Sequence, residues 1–418
     1  MAKLFAVRLP SKPRPYSVEF QTQEESATSW QSVLRRAYEK EYPSCCCPGT
    51  GTRQLVIRRR QKPERYFLAR FPYTGHEHAS NCKYYIPDPL SCGLRAYVEK
   101  VVTENDKGDF CVTLARGMTI SEALDASIPP FPMSTGKPVP RQRCMTLLGL
   151  LHLIWTTQNL INWFPKMEGK RNAYNVPRFI REAATQIKTN GVRLESVLLT
   201  SAFNSNGKEA NRNKEVVQGA QSKGLRLIAV GRFEDYSADK HSVPAQLPLV
   251  GRYGMPWLSM EEGLWGRVGQ RFKDEIGAWQ KGGNIVAIAH LSVTKSEKGS
   301  KALVHDVSLM RVSKRWIPLD SSYEEAIEER LHAEERAFQK PVRFDADECE
   351  YFPDFWLLDV DQSYPMEVFG RTDAEYQAHR EKKIRHYNND YPAGWWYWDA
   401  WQTEKAPDFP PATKNYRN

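Results

Sequence analysis

The stretch FPDFWLLDVDQSYPMEVFG, residues 352–370, decides the fold class of the C-terminal part of the chain. Its core PDFWLLD predicts a strand that starts with a Pro-Asp pair, and MEVFG predicts a second strand. The short segment DQSYP between them predicts a tight turn, so the two strands would form a hairpin. Asp354 at the start of the first strand and Glu367 near the end of the second would then meet at one end of a sheet.

Two predicted helices flank this hairpin. Residues 322–339 contain a run of glutamates and predict the first helix, and residues 373–387 predict the second. Four residues of the second helix are spaced by 4, 3 and 4 positions, which places them on one helical face: Tyr376, Arg380, Lys383 and Tyr387. The predicted order is therefore helix, strand with Pro-Asp, turn, strand with Glu, helix.

This order of elements resembles the core of the PD-(D/E)XK nuclease superfamily over residues 322–387. The resemblance implies that Asp354 and Glu367 are catalytic residues and ligands of a divalent metal ion. Hydrolysis of a phosphodiester needs such an ion to polarise the phosphate and to activate water. Magnesium takes one or two carboxylates together with water and phosphate oxygens, so Mg²⁺ or Mn²⁺ is the expected catalytic cofactor.

The chain departs from the superfamily pattern at one position. The usual lysine stands two residues after the glutamate, where this sequence has Phe369. In some branches of the superfamily the following helix supplies the lysine, which makes Lys383 the candidate here. In the first helix Glu325 or Glu328 would be the supporting carboxylate, and Glu325 is the candidate that we assign as catalytic.

Two alternatives remain for this domain. It can be an ordinary α/β unit in which Glu367 and Lys383 form structural ion pairs, or a nuclease fold that has lost catalysis. The four tryptophans of residues 395–401 could stack on bases, but such a cluster at the end of a domain more often closes a core.

The N-terminal part contains a candidate zinc site. Its metal-type residues are Cys45, Cys46, Cys47, His76, His78 and Cys82. Residues 54–60 and 65–71 alternate apolar and basic side chains and predict a hairpin, which would bring Cys45 and Cys47 close to His78 and Cys82. Four such ligands suit a structural zinc ion. Either His76 or His78 could be the histidine ligand, and the alternative is that the cysteines are ordinary buried residues.

The middle of the chain predicts helices at residues 144–163 and 176–189, followed by a flexible loop at 201–223. The helices predict a unit like a winged helix, with Arg178, Arg181 and Lys188 on one side facing nucleic acid. A small helical bundle with a solvated basic face is the alternative. Residues 144–165 lack charged side chains, but their histidine, threonine and amide residues predict a buried helix rather than a membrane span.

Composition and charge set the wider frame. The chain has 418 residues, a net charge of +9 and 41% hydrophobic residues, which excludes a mainly disordered protein. Residues 1–317 carry the positive charge and residues 318–418 carry a balance of −10. A basic body indicates a polyanionic partner. No secretory signal is present, so a cytoplasmic, reduced protein without membrane contact is predicted.

These patterns predict a multidomain α/β (α+β) chain. Its parts are residues 1–85 with the zinc-stapled hairpin, 86–139 with a Pro-rich linker at 127–140, 140–223, a mixed α/β segment at 224–317, and 318–418. Several segments resemble a family of uncharacterised bacterial proteins encoded on conjugative plasmids and integrative elements: the Cys-x-Cys, FPYTGHEHASNC, LLGLLHLIW with NWFPKMEGKR, and FPDFWLLD with MEVFG. The predicted function is a metal-dependent DNA endonuclease of a mobile element. The alternatives are an inactive DNA-binding accessory factor and a protein-interaction scaffold.

Overall fold

The structure is a computed structural model. It describes residues 3–61, 64–71, 74–86, 101–105, 109–120, 144–296, 299–342, 352–362 and 364–416. Both helices and strands occur along these residues, so the prediction of a mixed α/β chain is confirmed. The Pro-rich stretch that predicts a linker, residues 127–140, lies outside the described residues.

The N-terminal unit is built on the hairpin that the sequence predicts. Its elements are β1 (Val7–Arg8), α1 (Val18–Thr22), α2 (Ala27–Ala37), β2 (Ser44–Cys45), β3 (Leu55–Gln61) and β4 (Glu64–Arg70). β3 and β4 pair antiparallel. Ile57 and Tyr66 pack with Trp30 and Leu34 of α2, whereas Leu55 lies in a separate cluster with the buried cysteines. The hairpin thus covers both the helix and the cysteine cluster.

The central unit is a five-stranded sheet with helices packed on it, as far as the described residues show. Its elements are β5 (Val102–Glu104), β6 (Phe110–Val112), α3 (Leu147–Thr157), β7 (Asn162–Trp163), α4 (Val176–Ala184), β8 (Ile187–Thr189), β9 (Val192–Arg193), β10 (Leu198–Thr200), α5 (Lys208–Lys223), β11 (Leu227–Arg232), α6 (Ala238–His241), β12 (Trp257–Met260), α7 (Leu264–Arg271), α8 (Lys273–Gln280), β13 (Asn284–Ser296) and β14 (Gly299–Val312). The five-stranded sheet has the order β10-β11-β13-β14-β12, whereas β5, β6, β8 and β9 form a separate four-stranded sheet and β7 pairs with β15 (Phe338–Gln339). Helices α3, α5, α7 and α8 contact the five-stranded sheet, and most residues of its strands β11 and β13 are apolar and buried, as expected for strands covered on both faces.

Helix α3 is shorter than the apolar stretch that predicts it. It begins after the N-cap Thr146, whose hydroxyl accepts a hydrogen bond from the amide of Gly149, and it ends at Thr157. Asn159 then adopts a positive φ of 53° and the chain turns into β7. Among the helices that the structure describes, none is both long enough and apolar enough to cross a bilayer.

The prediction of a flexible loop at residues 201–223 is wrong, because α5 occupies most of this segment. Its buried positions are spaced by three and four residues: Ala210, Asn213, Val216, Val217 and Ala220. Few of these buried residues are strongly apolar, so the segment lacks the clear apolar period that would predict a helix. The helix ends at Gly224, which has the left-handed conformation (φ 60°) that favours glycine.

The structure also differs from the predicted division of the middle of the chain. β10 pairs with β11 in parallel, so the predicted boundary at 223/224 runs through one sheet. One hydrophobic cluster extends from Ile86 to Val342 across three predicted boundaries, at 139/140, 223/224 and 317/318. The helices of the predicted winged-helix segment lie on this shared sheet, because their apolar faces are buried against strands that are distant in sequence.

The C-terminal unit contains α9 (Ser322–Ala333), β15 (Phe338–Gln339), β16 (Phe355–Leu357), β17 (Tyr364–Phe369), α10 (Ala374–Asp390) and β18 (Trp396–Asp399). Its sheet has the order β18-β17-β16-β15-β7, so a strand from the middle of the chain completes it. β15, β16 and β17 are antiparallel neighbours, and β18 runs parallel to β17 after the crossover through α10. Trp396 and Trp398 of β18 are buried in the core of this unit.

The first predicted helix of this unit is too long. α9 ends at Ala333, and Glu335 has a positive φ of 53° before the chain enters β15. Asp359 stabilises this exit, since its carboxylate accepts hydrogen bonds from the Arg336 guanidinium and from the amide of Ala337.

Candidate functional site

Three cysteines and one histidine meet in the N-terminal unit. Cys45 lies in β2 and Cys47 follows it, whereas His78 and Cys82 lie beyond the hairpin, after a short 3₁₀ turn. All four side chains are buried, and their ligand atoms lie within 4.8 Å of one another. His76 and Cys46 are exposed. Between the two histidines that the sequence leaves open, the structure therefore brings His78 into the cluster.

Three distances within the cluster match those between the ligands of a tetrahedral metal ion. The Sγ atoms of Cys45 and Cys82 are 3.7 Å apart, and His78 Nδ1 lies 3.6 Å from Cys47 Sγ and 3.7 Å from Cys82 Sγ. Zinc–sulfur and zinc–nitrogen bonds of about 2.3 and about 2.1 Å predict edges of about 3.8 Å between sulfurs and about 3.6 Å between sulfur and nitrogen. The cluster can therefore hold a metal ion such as zinc.

The two loops that carry the ligands of the cluster pack closely against each other. A Cβ atom at Gly49 would lie 2.1 Å from the carbonyl oxygen of Glu77 and 2.6 Å from the amide of Ala79, so only glycine fits there. The Glu77 carboxylate accepts hydrogen bonds from the amide of Arg53 and the hydroxyl of Thr52. These contacts fix the loop after the first pair of ligands against the loop that carries the second pair.

The thiols of the cluster influence one another's ionisation. Contact with Cys47 raises the pKa of Cys45 to about 12, and contact with Cys45 and Cys47 raises that of Cys82. The same contacts lower the pKa of Cys47. Cys45 and Cys82 therefore stay protonated without a cation, and a divalent metal ion bound by all three sulfurs would displace these protons.

A second constellation lies in the C-terminal unit, where Asp354, Glu367 and Lys383 come together. Asp354 precedes β16, Glu367 lies in β17, and Lys383 lies in α10. Lys383 Nζ donates hydrogen bonds to both carboxylate oxygens of Glu367, at 2.9 and 2.8 Å, and the Asp354 carboxylate accepts one from the amide of Val368 at 2.8 Å. Tyr387 donates to Glu367 from the same face of α10, at 2.8 Å. Three side chains that the sequence singles out thus share one site.

These residues line a cleft with a volume of about 530 Å³. Its wall also includes Asp320 before α9, Glu324 in α9, and Lys340 after β15. Lys340 is 2% exposed, and its Nζ lies 2.9 Å from the Asp320 carboxylate and 3.1 Å from that of Glu324. Further basic residues on the wall are His152, Arg371, His379 and Arg380. The cleft therefore pairs the buried carboxylates of Glu324 and Glu367 with buried lysines, whereas the side chain of Asp320 is 63% exposed.

Burial shapes the protonation of the carboxyl groups. Desolvation and the charge of Asp354 raise the pKa of Glu367 to about 7, against the opposing effect of Lys383. Desolvation also raises the pKa of Glu324 to about 8, although Lys340 opposes this shift. Burial alone would lower the pKa of Lys340, but the charges of Asp320 and Glu324 outweigh it and raise the pKa. Both glutamates therefore titrate close to neutral pH, while Lys340 stays charged.

Glu325 and Glu328, the two sequence candidates for the supporting carboxylate, do not lie in this cleft. Glu325 forms an ion pair with Arg311, and Glu328 accepts hydrogen bonds from Ser313 and Arg315. The structure places Glu324 in the cleft instead. The apolar residues Ile327 and Leu331 mark the buried face of α9, and Glu324 belongs to the same face.

Lys340 is a site residue that the sequence did not indicate. It follows a two-residue strand, and it has no neighbouring motif or helical period that would single it out. Only the pairing of β15 with β7 and β16 brings it to the cleft.

The three predicted nucleic-acid contacts do not form one face. Arg178 is exposed, but the Arg181 guanidinium is partly buried and donates to Thr200 Oγ1 at 2.9 Å. Lys188 lies in β8, with its Nζ 3.9 Å from the Asp109 carboxylate. The reason is that α4 ends at Ala184, so Lys188 is not part of the helix that carries the two arginines.

Both constellations lie within the part of the chain that matches a known family. Residues 16–400 match the family model described as "Protein of unknown function (DUF1173)". The chain belongs to the DUF1173 family. No curated protein and no solved structure matched the chain. Membership in DUF1173 thus covers the cysteine cluster and the cleft together, without assigning an activity to either.

Proposed function

We propose that this protein binds nucleic acid and hydrolyses phosphodiester bonds as a metal-dependent DNA endonuclease of PD-(D/E)XK type. The observation that carries the proposal is the meeting of Asp354, Glu367 and Lys383 in one cleft. These residues come from a strand entry, a second strand and the following helix.

The arrangement of elements supports the same proposal. The superfamily resemblance expects a helix, a strand with Pro-Asp, a turn, a strand with Glu and a second helix. The order α9, β15, β16, β17, α10 contains these elements with one further strand, β15, after the first helix. Phe369 occupies the usual lysine position and is buried, while Lys383 reaches the glutamate from α10 at 2.8 Å. This contact fits a lysine supplied by the helix.

The donor set fits Mg²⁺ or Mn²⁺ in kind. Asp354, Glu367 and Glu324 offer carboxylate oxygens, the ligands that hard divalent ions prefer. Repulsion from Asp354 contributes to the raised pKa values of Glu367 and Glu324, so a cation at this point would relieve an existing electrostatic cost. When bound, such an ion would polarise the phosphate and activate water.

The chain's own residues supply the remaining roles. Lys383 and Lys340 offer two buried positive charges that can stabilise the negative charge that develops on a phosphate. Without a metal ion the pKa of Glu367 is about 7, so this carboxyl group would have to release its proton to bind the ion and would bind it less well below pH 7. Asp354 is oriented by the amide of Val368. Arg371, 69% exposed at its side chain, can attract the nucleic acid backbone.

We further propose that zinc occupies the Cys45, Cys47, His78 and Cys82 cluster and is structural. Four protein ligands complete a tetrahedral shell and leave no position for a substrate. The high positive charge of the first 317 residues supports nucleic acid, most simply DNA, as the partner. The resemblance to proteins of plasmids and integrative elements suggests that this activity serves a mobile element.

One observation favours a second candidate, a catalytically silent DNA-binding factor. Lys383 holds both oxygens of Glu367, and Tyr387 donates to the same carboxylate. A carboxylate engaged in this way must release its partners before it can bind a metal ion. The structural ion pair would then be the resting state of a site that binds nucleic acid without cutting it.

The test is cleavage of supercoiled plasmid and of single-stranded DNA with Mg²⁺ or Mn²⁺, and with EDTA as the metal-free condition. Three substitutions remove the proposed functional groups: Asp354→Asn, Glu367→Gln and Lys383→Met. Three matched controls change exposed residues of the same types: Asp361→Asn, Glu381→Gln and Lys382→Met.

We expect each site variant to lose at least about 100-fold in cleavage rate, the usual effect of removing one charge-stabilising group. The control variants should retain the wild-type rate. Cleavage that persists in Asp354→Asn and Glu367→Gln would show that the site is assigned wrongly. Salt-dependent binding without cleavage would support the silent factor, and absence of binding at low salt would leave the interaction scaffold.

A further inference from the structure

Asn162 is a fully buried polar residue in β7, outside both constellations. Both the nitrogen and the oxygen of its side-chain amide form hydrogen bonds. The Nδ2 atom donates to the carbonyl oxygen of Ser80 at 3.1 Å, and Oδ1 accepts a hydrogen bond from Gln339 Nε2 at 2.7 Å. One amide thus joins the N-terminal unit to the C-terminal sheet.

The first of these contacts joins β7 to the loop that carries two residues of the cysteine cluster. Ser80 lies between the two ligands His78 and Cys82, so its carbonyl is held by the loop that a metal ion would fix. Asn159, three residues before Asn162, donates to the carbonyl oxygen of Cys82 at 3.4 Å. The loop with the second pair of ligands is therefore bonded to the chain that enters β7.

The second contact ends at the cleft. Gln339 is the residue before Lys340, and the Lys340 amide donates to the carbonyl oxygen of Ile161 at 2.8 Å. β7 and β15 pair antiparallel, with Gln339 opposite Asn162. The position of the Lys340 backbone in the cleft therefore depends on β7.

The turn between the two contacts is held by the half-buried side chain of Arg171. The Arg171 guanidinium donates to the carbonyl oxygens of Asn159, Leu160 and Asn162. A turn fixed by three such bonds cannot relax independently at its two ends. A displacement of the Ser80 loop would consequently either leave the Asn162 amide unpaired in the interior, which is costly, or shift β7.

We propose that Asn162 is a positioning residue through which the metal ion of the cysteine cluster fixes the Lys340 end of the cleft. With the metal bound, the Ser80 carbonyl is held in place, Asn162 is satisfied, and β15 stays in register. Without it the loop between His78 and Cys82 gains freedom and the pairing of β15 with β7 weakens. The proposal concerns the place of Lys340 and holds whether or not the cleft cuts nucleic acid.

Hydrogen exchange of the full-length protein tests this coupling. The zinc content of each sample is measured first, and exchange of the Phe338 and Lys340 amides, which face β7, is then compared before and after zinc removal with a chelator. Loss of the Asn162 bonds should speed their exchange by about tenfold in wild type, the effect of a hydrogen bond worth about 1.4 kcal/mol. The amides of β11 in the central sheet should not change.

Asn162→Ala supplies the decisive comparison. It should keep its zinc, show fast exchange at Phe338 and Lys340 already before chelation, and respond to chelation by less than about twofold, because the coupling bond is absent. Gln339→Ala removes the same link from the other side and should behave alike, which covers a failure of Asn162→Ala to fold. Gln362→Ala changes an exposed glutamine whose amide donates to Ala393, and should match wild type.

Several results would overturn the proposal. They are a protein without metal in the cluster, unchanged exchange in chelated wild type, and an equal chelator response in wild type and in Asn162→Ala. Loss of protection in β11 together with Lys340 would also overturn it, because that would show general unfolding rather than a local link.

Discussion

Lys383→Met should destabilise the folded protein in a way that depends on pH. Lys383 Nζ lies 2.9 and 2.8 Å from the two carboxylate oxygens of Glu367, and the two side chains are 7% and 1% exposed. At this distance and an effective dielectric constant of about 20, the attraction between the charges is about 6 kcal/mol. The cost of burying both charges offsets much of this attraction. Removal of one partner leaves the other buried and uncompensated, which typically costs about 3–5 kcal/mol.

The pH dependence follows from the carboxyl group that remains. The pKa of Glu367 is raised from 4.5 to about 7 in the folded protein while Lys383 opposes the shift, so removal of the lysine raises it further. The folded state then binds the proton more tightly than the unfolded chain, and stability falls as pH rises from 4.5 to the folded pKa. In wild type this fall ends near pH 7, whereas in the variant it continues above pH 7. The deficit of the variant should therefore grow there by up to about 1.4 kcal/mol per pH unit.

The measurement is urea unfolding at pH 6 and pH 8, followed by tryptophan fluorescence and circular dichroism. We expect Lys383→Met to lose about 3 kcal/mol at pH 8 and about 1 kcal/mol less than that at pH 6. The neighbouring Lys382 is exposed, so Lys382→Met should stay within about 0.5 kcal/mol of wild type. Adding Glu367→Gln to Lys383→Met should remove the extra loss at pH 8. An equal deficit at both pH values would refute the reasoning, as would no deficit at all.

Two further predictions concern the cysteine cluster and the exit from α9. Cys47→Ser combined with Cys82→Ser should abolish bound zinc in metal analysis of the purified protein. Cys46→Ser changes an exposed thiol and should keep the zinc. Zinc that survives the double substitution would contradict the assignment. Asp359→Asn breaks a buried pair in which Arg336 donates at 2.8 and 2.9 Å, so it should cost about 3–5 kcal/mol in urea unfolding. Asp361→Asn changes an exposed carboxylate and should cost no more than about 0.5 kcal/mol, and similar losses in the two variants would argue against a role for the pair.

Much of the cleft could be predicted from sequence because its residues lie in local patterns. The Pro-Asp strand, the turn and the Glu strand are contiguous, and the spacing of Tyr376 to Tyr387 places Lys383 on the same helical face as Tyr387. Both side chains contact Glu367 in the structure. The cysteine cluster could also be predicted from the sequence, because a hairpin brings the residues at its two ends close together.

The site residues and the helix that were not predicted depend on pairing between segments distant in sequence or on a weak helical period. Glu324 could have been preferred to Glu325 from its spacing to Ile327 and Leu331, because these apolar residues mark the buried face of α9. Lys340 offered no such signal, since its strand is two residues long and is fixed by partners far away in sequence. α5 was missed because few of its buried residues are strongly apolar.

The contribution of β7 to the C-terminal sheet determines how the chain can be dissected. Trp163, Phe164 and Met167 belong to the hydrophobic core of the C-terminal unit, although they precede it by more than a hundred residues. A truncated fragment that begins at residue 318 would lose these side chains and would expose the edge of β15, which favours aggregation. Attempts to express the cleft alone should therefore keep the chain from α3 onward, and genetic exchange of the C-terminal segment between relatives would have to carry a compatible β7.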